Sequence, residues 1–337
     1  MEANMRQMQG KDVALSAIRK TYDSTVALPH IDLSVARGEF CTLLGASGSG
    51  KTTLLKVIAG FERPDAGRIQ IAGKDVTNTS IADRNIGMVF QNYALFPHMS
   101  VFENVAFPLR MRRLAKVDIE RRVGDALALV SLDEYRKRLP GELSGGQQQR
   151  AALARALVFN PDILLMDEPL GALDKNLRQS IQIQIKQLHQ ELGLTVVFVT
   201  HDQEEAMNLS DRIIIMDKGQ IVGDGSPQGL YRHPQSQFVA GFLGECNFIA
   251  QAGAPTLGIR PEHLLVGEAC GTGAHCYQGH IMMATFCGLH WKLLIQHQGQ
   301  TLVAYAPIDL PEAQRMPGQL VRFSFETVHA MTFGEIA

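Results

Sequence analysis

One stretch fixes more of this chain's architecture than any other: Gly45-Ala46-Ser47-Gly48-Ser49-Gly50-Lys51-Thr52-Thr53. It fits the pattern G-x-x-x-x-G-K-[ST], which has its meaning between a strand and a helix. Both flanks comply. Phe40-Cys41-Thr42-Leu43-Leu44 reads as a short buried strand, and Lys51 to Ala59 as a helix with Leu54, Leu55 and Ile58 on its apolar side. Gly45, Gly48 and Gly50 let the backbone wrap closely, so that successive N–H groups point at one anion. The following helix adds its unpaired N–H groups and positive dipole end. Lys51 is then expected against the β- and γ-phosphates of a nucleoside triphosphate, with the Thr52 hydroxyl on magnesium. A Gly/Ser-rich turn without a ligand also occurs in α/β folds; Lys-Thr in register favours the phosphate reading. The pattern implies a nucleotide, not what its energy drives.

The bulk properties remove several classes. A chain of 337 residues has room for two domains, and 45% apolar with 20% charged residues is ordinary for a soluble globular protein. The formal net charge of −2 is no electrostatic footprint for nucleic acid. Cys41, Cys246, Cys270, Cys276 and Cys287 form no C-x-x-C pair, which suits a reducing compartment and argues against a zinc site. The start Met-Glu-Ala-Asn-Met-Arg has no apolar core and is not expected to be a secretory signal. No apolar run reaches the length of a membrane span, so any membrane role is expected to come through a partner.

Along the chain, residues 12 to 44 alternate apolar and polar positions, as in Ile31-Asp32-Leu33-Ser34-Val35, and read as antiparallel strands. Residues 68 to 72 and 86 to 90 read as further strands, the latter leading to Gln91. Helices then take over. Ser100-Val101-Phe102-Glu103 is a capping box, Asp118 to Val130 keeps a helical spacing, and Leu143-Ser144-Gly145-Gly146-Gln147 leads into a helix around Ala151 to Leu157. Ile163-Leu164-Leu165-Met166 reads as a buried strand ending in Asp167 and Glu168. A long helix carries Leu177, Ile181, Ile185, Leu188 and Leu192 and stops at Gly193. Thr195 to Thr200 is another buried strand, ending at His201. This succession predicts right-handed β-α-β crossovers and a parallel sheet. Residues 212 to 224 read as a hairpin turning at Asp217-Lys218-Gly219.

After about residue 240 the composition shifts. Of the 32 Lys and Arg, only Arg260, Lys292, Arg315 and Arg322 fall beyond residue 237, whereas six of the 11 His do. Trp291 to Ile295, Leu302 to Ala306 and Leu320 to Phe325 alternate and predict a small all-β domain. His263, His275, His280, His290, His297 and His329 show no tight ligand spacing and read as surface or packing residues.

Acids at the carboxyl end of a parallel strand face the ligand crevice. Asp167 is therefore expected to hold magnesium and Glu168 to orient or deprotonate an attacking water. The same pair could cap the next helix; the phosphate loop upstream favours the catalytic reading. His201 is placed to reach the γ-phosphate region, and Gln91 likewise follows a strand.

Leu143-Ser144-Gly145-Gly146-Gln147, between phosphate loop and acidic strand, resembles the signature of ABC transporter ATPases. The other landmarks stand in order: Tyr22 for the aromatic residue on adenine, Gln91 for the Q-loop, Gly171-Ala172-Leu173-Asp174 for the D-loop, His201 for the switch histidine. The resemblance covers residues 10 to 240. It implies an α/β P-loop NTPase fold, with a RecA-like core, an antiparallel β subdomain and a helical subdomain at about 92–158. ATP would be bound by Tyr22, the residues Gly45 to Thr53, Ser144 to Gln147 and Asp174. Magnesium would be held by Thr52, Gln91 and Asp167, and catalysis carried by Lys51, Gln91, Glu168 and His201. It also implies that two copies pack head to tail, each Ser144 closing on the other's ATP.

Asn92 to His98, Glu168 to Asp174 and His201 to Ala206 resemble importer ATPases of the polyamine, phosphonate, ferric iron and sulfate subfamilies. Polyamine (spermidine/putrescine) is the first expectation for cargo, and the other three stay open. Phe242 to Phe248 and Gly258 to His263 resemble landmarks of the oligonucleotide-binding-like regulatory domain of those importers, expected at 241–337. The partners implied are a second copy, integral membrane permease subunits and, indirectly, a solute-binding protein, with no nucleic acid. The expected location is peripheral, at the cytoplasmic face of the inner membrane, with Tyr93, Phe96 and Pro97 lining the permease dock. A non-transport ATPase of the same family and a small-molecule kinase are the readings from other classes. Neither a second nucleotide domain nor an acceptor site is visible for them.

Overall fold

The computed structural model describes residues 10–171, 173–251, 254–267, 270 and 276–334. Met1 to Arg6, Ala172 and His275, used in the sequence reading, lie outside these. The chain divides into two compact units, one running to Pro227 and the other starting at Gln228.

The first unit is built on a six-stranded sheet. Its order is Gln220–Gly225, Arg212–Asp217, Phe40–Leu44, Thr195–Thr200, Ile163–Asp167, Ile86–Val89. All neighbours pair in parallel except the edge strand Gln220–Gly225. Strands covered on both faces need unbroken apolar runs, which is why Phe40–Leu44 and Thr195–Thr200 are buried throughout. The edge hairpin turns at Lys218 and Gly219, both at positive φ (45° and 78°), as a tight two-residue turn requires.

A second, antiparallel sheet runs Thr25–Val35, Val13–Tyr22, Ala66–Ile71, Lys74–Asp75. One face is buried: Val13, Leu15, Ile18, Leu33 and Ile69 share a core with Leu54, Leu55 and Ile58 of the helix Lys51–Ala59. This corrects the expected antiparallel run from 12 to 44. Alternation stops at Val35, and Phe40–Leu44, with no exposed side, belongs to the parallel sheet.

Between Val89 and Ile163 lie three helices, Val101–Met111, Lys116–Leu129 and Gly145–Leu157, packed around Val105, Leu109, Val123, Leu127 and Ala151. The first opens on the capping box read from the sequence: Ser100 accepts from the Glu103 N–H, and the Glu103 carboxylate accepts from the Ser100 N–H. The helix Lys175–Leu192 ends at Gly193, whose φ of 60° lets its N–H cap the His189 carbonyl.

In the second unit, Asn247–Gln251, Ala254–Ile259 and Met331–Phe333 form one sheet. Leu265–Val266, Leu320–Ser324, Cys276–Phe286, Trp291–His297 and Gln300–Ala306 form another, in that order. Ile281, Leu293, Ile295, Leu302, Val321 and Phe323 are its core. Of the six histidines beyond residue 237, the five described ones sit against rings or carbonyls. His263 stacks on His329 at 3.9 Å, His290 lies over Tyr305 at 4.2 Å, and His280 and His297 meet the Gly318 and Gln278 carbonyls. Among the described residues no group of three or more His, Cys, Asp and Glu is placed to hold a metal ion.

Candidate functional site

The loop after Phe40–Leu44 wraps as its glycines allow. Gly48 and Gly50 have φ of 82° and 98°, and a Cβ at Gly45 would lie 2.4 Å from the Met216 carbonyl oxygen. Gly50 is the N-cap of Lys51–Ala59 with no side-chain cap, so the first N–H groups of that helix stay open towards the loop. Lys51 is 4% exposed, and its Nζ donates to the Gly45 and Ala46 carbonyls at 2.8 and 2.9 Å. Burial pushes its ammonium below the ordinary lysine value, with Glu168 and Asp167 pulling the other way.

The strand Ile163–Asp167 brings its acids to this point. Thr52 Oγ1 donates to Asp167 Oδ1 at 3.2 Å across 115 residues of sequence. Burial raises the Asp167 pKa, opposed by that hydrogen bond. Glu168, just past the strand, has a left-handed φ of 44° and donates its N–H to the Val199 carbonyl. Its Oε2 receives Gln91 Nε2 at 3.3 Å and lies 3.2 Å from His201 Nδ1. The ends of three parallel strands thus converge on one carboxylate. A cleft of about 460 Å³ runs from Glu168 over Ser47 to Thr53 and onto Thr25, Val26, Lys218 and Gly219.

Other expected residues lie elsewhere. Tyr22 is not part of the cleft wall; it is 38% exposed, with Lys20 Nζ 5.2 Å from its ring, though its strand partner Thr25 lines the cleft. Ser144 caps Gly145–Leu157 in a closed capping box: Ser144 Oγ accepts from the Gln147 N–H at 3.3 Å, and Gln147 Oε1 from the Ser144 N–H at 2.9 Å. The Gln147 side chain is thereby engaged locally. Ser144 and Gly145 are exposed, whereas Gly146 is buried, and a Cβ there would meet Leu177 at 2.8 Å. Asp174 caps Lys175–Leu192 through the Leu177 N–H at 2.9 Å. Of the expected docking residues, Tyr93 is 6% exposed among Val89, Ala152 and Leu170, Phe96 packs on Phe107 at 4.7 Å, and Pro97 is exposed.

Three supporting roles are not visible in the sequence. Gly219 donates its N–H to the Ser49 carbonyl at 3.0 Å, bracing the loop from the edge hairpin. Arg155 donates Nη1 and Nη2 to the Ala94 and Tyr93 carbonyls, both at 2.7 Å. Asn104, fully buried, accepts from the Phe96 N–H and donates Nδ2 to the Phe96, Met99 and Ser100 carbonyls. These two side chains shape the segment that begins at Gln91.

A glycine loop on a helix N-terminus, a buried lysine and a threonine–aspartate pair at parallel strand ends define a P-loop nucleotide-binding protein. The comparisons narrow this. A family model described as ABC transporter matches residues 28–171, and one described as TOBE domain matches residues 257–333. The spermidine/putrescine import ATP-binding protein PotA of Photobacterium profundum is 54% identical over 235 residues, 70% of this chain and 63% of that protein. PotA of Aliivibrio fischeri is 52% identical over 249 residues, 73% of this chain and 67% of its own length. Among solved structures, the ATP-binding cassette MJ0796, dimeric in a post-hydrolysis state with ADP and Pi, is 34% identical with a TM-score of 0.58. The match covers 64% of this chain and 98% of that one. CbiO1 from Clostridium perfringens, part of the ABC transporter complex cbiONQ, is 30% identical with a TM-score of 0.61, covering 65% of this chain and 90% of its own. The chain belongs to the ABC transporter family of ATP-binding subunits. It spans about 63% of the length of the Photobacterium relative.

Proposed function

We propose that this chain is the ATP-hydrolysing subunit of an import system, coupling ATP binding and hydrolysis in a two-copy sandwich to solute uptake through a separate permease. The observation that carries the reading is the convergence of Gln91 and His201 on Glu168 beside a loop whose Thr52 is bonded to Asp167. Relatives named for spermidine/putrescine import support polyamine as cargo. The functional boundaries we adopt are 10–240 for the ATP-binding domain, with its helical subdomain at 92–158, and 241–337 for a regulatory domain. No described helix is long and apolar enough to cross a membrane, and the proposed location is peripheral, on permease subunits at the cytoplasmic face of the inner membrane.

In this mechanism the loop N–H groups and Lys51 hold the phosphates, and the reaction is in-line attack of water on the γ-phosphorus. Thr52 and Asp167 offer hard oxygen donors 3.2 Å apart, a set that suits magnesium, which would neutralise phosphate charge there. Gln91 would complete that oxygen set from across Glu168. Glu168 takes the water's proton, while Gln91 and His201 fix its carboxylate by the contacts they already make. Tyr22, beside Thr25 at the hairpin end, carries the base. Ser144 and Gly145, exposed at a helix N-terminus, close on the ATP of the second copy, with Asp174 near that seam.

The test is to purify the Glu168→Gln chain and measure its mass in solution with and without ATP. ATP-dependent dimers are expected, and a chain that binds ATP yet stays monomeric sinks the sandwich. Cargo is read by copurifying the chain with permease and binding protein in liposomes and asking which solute stimulates hydrolysis. Polyamine should, and stimulation by phosphonate, ferric iron or sulfate alone would reassign it.

A further inference from the structure

His201 lies in the short turn between the strand Thr195–Thr200 and the helix Gln203–Leu209. Its side chain is 58% exposed, so packing alone does not keep Nδ1 at 3.2 Å from Glu168 Oε2. The two neighbours in the chain are held instead. Thr200, buried at the strand end, donates Oγ1 to Glu205 Oε2 at 2.6 Å and accepts the Asp202 N–H at 3.0 Å. Asp202 caps the helix, with Oδ1 accepting from the Glu204 and Glu205 N–H groups at 2.8 and 3.2 Å. These bonds all run between residues 200 and 205, so they fix the shape of the turn rather than where it lies.

The sheet anchors the turn at Thr200, which pairs with Leu44. Arg178, near the start of Lys175–Leu192, anchors it at Asp202. The guanidinium donates Nη1 to Asp202 Oδ2 at 3.1 Å and holds Nε 3.8 Å from Glu205 Oε1. It also donates Nη2 to the Leu173 carbonyl at 3.1 Å. A lone surface ion pair contributes little. Here one planar fork bridges two carboxylates, that of Glu205 only 4% exposed, and a main-chain carbonyl, a task no point charge matches. Leu173 precedes Asp174, so the same side chain joins the stretch at the proposed seam to the turn that carries His201.

We propose that Arg178 is a positioning residue for ATP hydrolysis: it pins the Asp202 side of the turn, and so keeps the His201 ring on Glu168. This role rests on those given to His201 and Glu168 above. Without Arg178 the turn loses its anchor at Asp202, and a ring displaced by about 1 Å can cost about 10²-fold in rate.

ATP turnover of the full chain, corrected for folded fraction by thermal unfolding, tests it. Arg178→Gln should lower kcat by about 10- to 100-fold. KM for ATP should stay within about twofold, since Arg178 does not line the phosphate-loop cleft. Asp202→Asn reads the same contact in a chain that keeps its helix cap, because Asn caps as well as Asp. It should lower kcat less, and Arg178→Gln added to it should cost less than Arg178→Gln alone. Lys186→Gln removes an ion pair with Asp211 from the same helix at similar exposure and should leave kcat unchanged. In a His201→Ala chain, Arg178→Gln should change kcat by less than about twofold. The same fall in both backgrounds, or an equal fall in Lys186→Gln, makes Arg178 a merely stabilising pair and overturns the proposal. A readout independent of turnover is the His201 ring resonances, assigned by their loss in His201→Ala. They should move in folded Arg178→Gln, and unmoved resonances overturn the proposal. Parent-like turnover in His201→Ala itself would instead remove the role of His201 in hydrolysis, and that of Arg178 with it.

Discussion

The segment after Gln91 contains two consecutive non-glycine residues in the left-handed region, Tyr93 and Ala94, at φ 59° and 48°. Each costs on the order of 1 kcal/mol, so something must hold them. Arg155, a residue only 9% exposed, does so through two 2.7 Å bonds to their carbonyls. Burial lowers its pKa, so the charge is kept against desolvation. In Arg155→Leu two charge-assisted bonds are lost, each about 1.5–3 kcal/mol, and two carbonyls are left open. Relief of the buried charge offsets part of this, leaving a net loss of about 3–5 kcal/mol. That is a large share of the roughly 5–15 kcal/mol that holds a domain together, and at about 2–4 °C per kcal/mol it lowers Tm by roughly 6–20 °C. Because Gln91 Nε2 reaches Glu168 from this segment, ATP turnover should fall further than the folded fraction does. Arg155→Lys offers one point charge for two carbonyls and should fall between. Thermal and urea unfolding of the purified chains, with turnover corrected for folded fraction, decide it. A Tm within about 2 °C of the parent for Arg155→Leu, or full activity in the surviving folded protein, refutes the account.

Three further outcomes follow from the geometry. Glu168→Gln keeps ATP binding but lowers turnover by about 10²–10⁴-fold, and near-normal hydrolysis would remove Glu168 from the role of base. Gly45→Ala places a Cβ 2.4 Å from the Met216 carbonyl oxygen and 2.5 Å from Ser49 Oγ. The backbone must shift, so a loss of about 1–3 kcal/mol and weakened ATP binding by calorimetry are expected, with unchanged binding counting against the cradle. Glu205 is 3% exposed and accepts from Thr200 Oγ1 at 2.6 Å, and burial raises its pKa above the ordinary 4.5. A raised folded-state pKa contributes stability that is full below the ordinary value and is lost as pH rises through the folded one. Glu205→Gln should therefore gain on the parent in Tm as pH rises from 4.5 towards neutrality, and a pH-independent difference between the two chains would contradict it.

The phosphate loop was legible because every part of it is local: strand, glycines, lysine and helix start lie within residues 40–59. The strand ends were legible for a related reason, since an apolar run closing on Asp167-Glu168 or on His201 marks the crevice side of a parallel sheet. Arg155 and Gly219 were not. In Arg150-Ala151-Ala152-Leu153-Ala154-Arg155 a second arginine reads as a solvated helix face, and its acceptors lie 61 and 62 residues away. Gly219 reads fully as a hairpin turn, and its N–H bond to Ser49 appears only once the hairpin edge is folded against the loop. Tyr93 shows the opposite failure. An aromatic residue beside Gln91 invites a docking role, yet the left-handed backbone at Tyr93 and Ala94 turns that ring into the core at 6% exposure. Motif spacing records side chains that act on a ligand. It is silent about side chains that act on backbone carbonyls, because any arginine or asparagine can do that and only burial decides which one does.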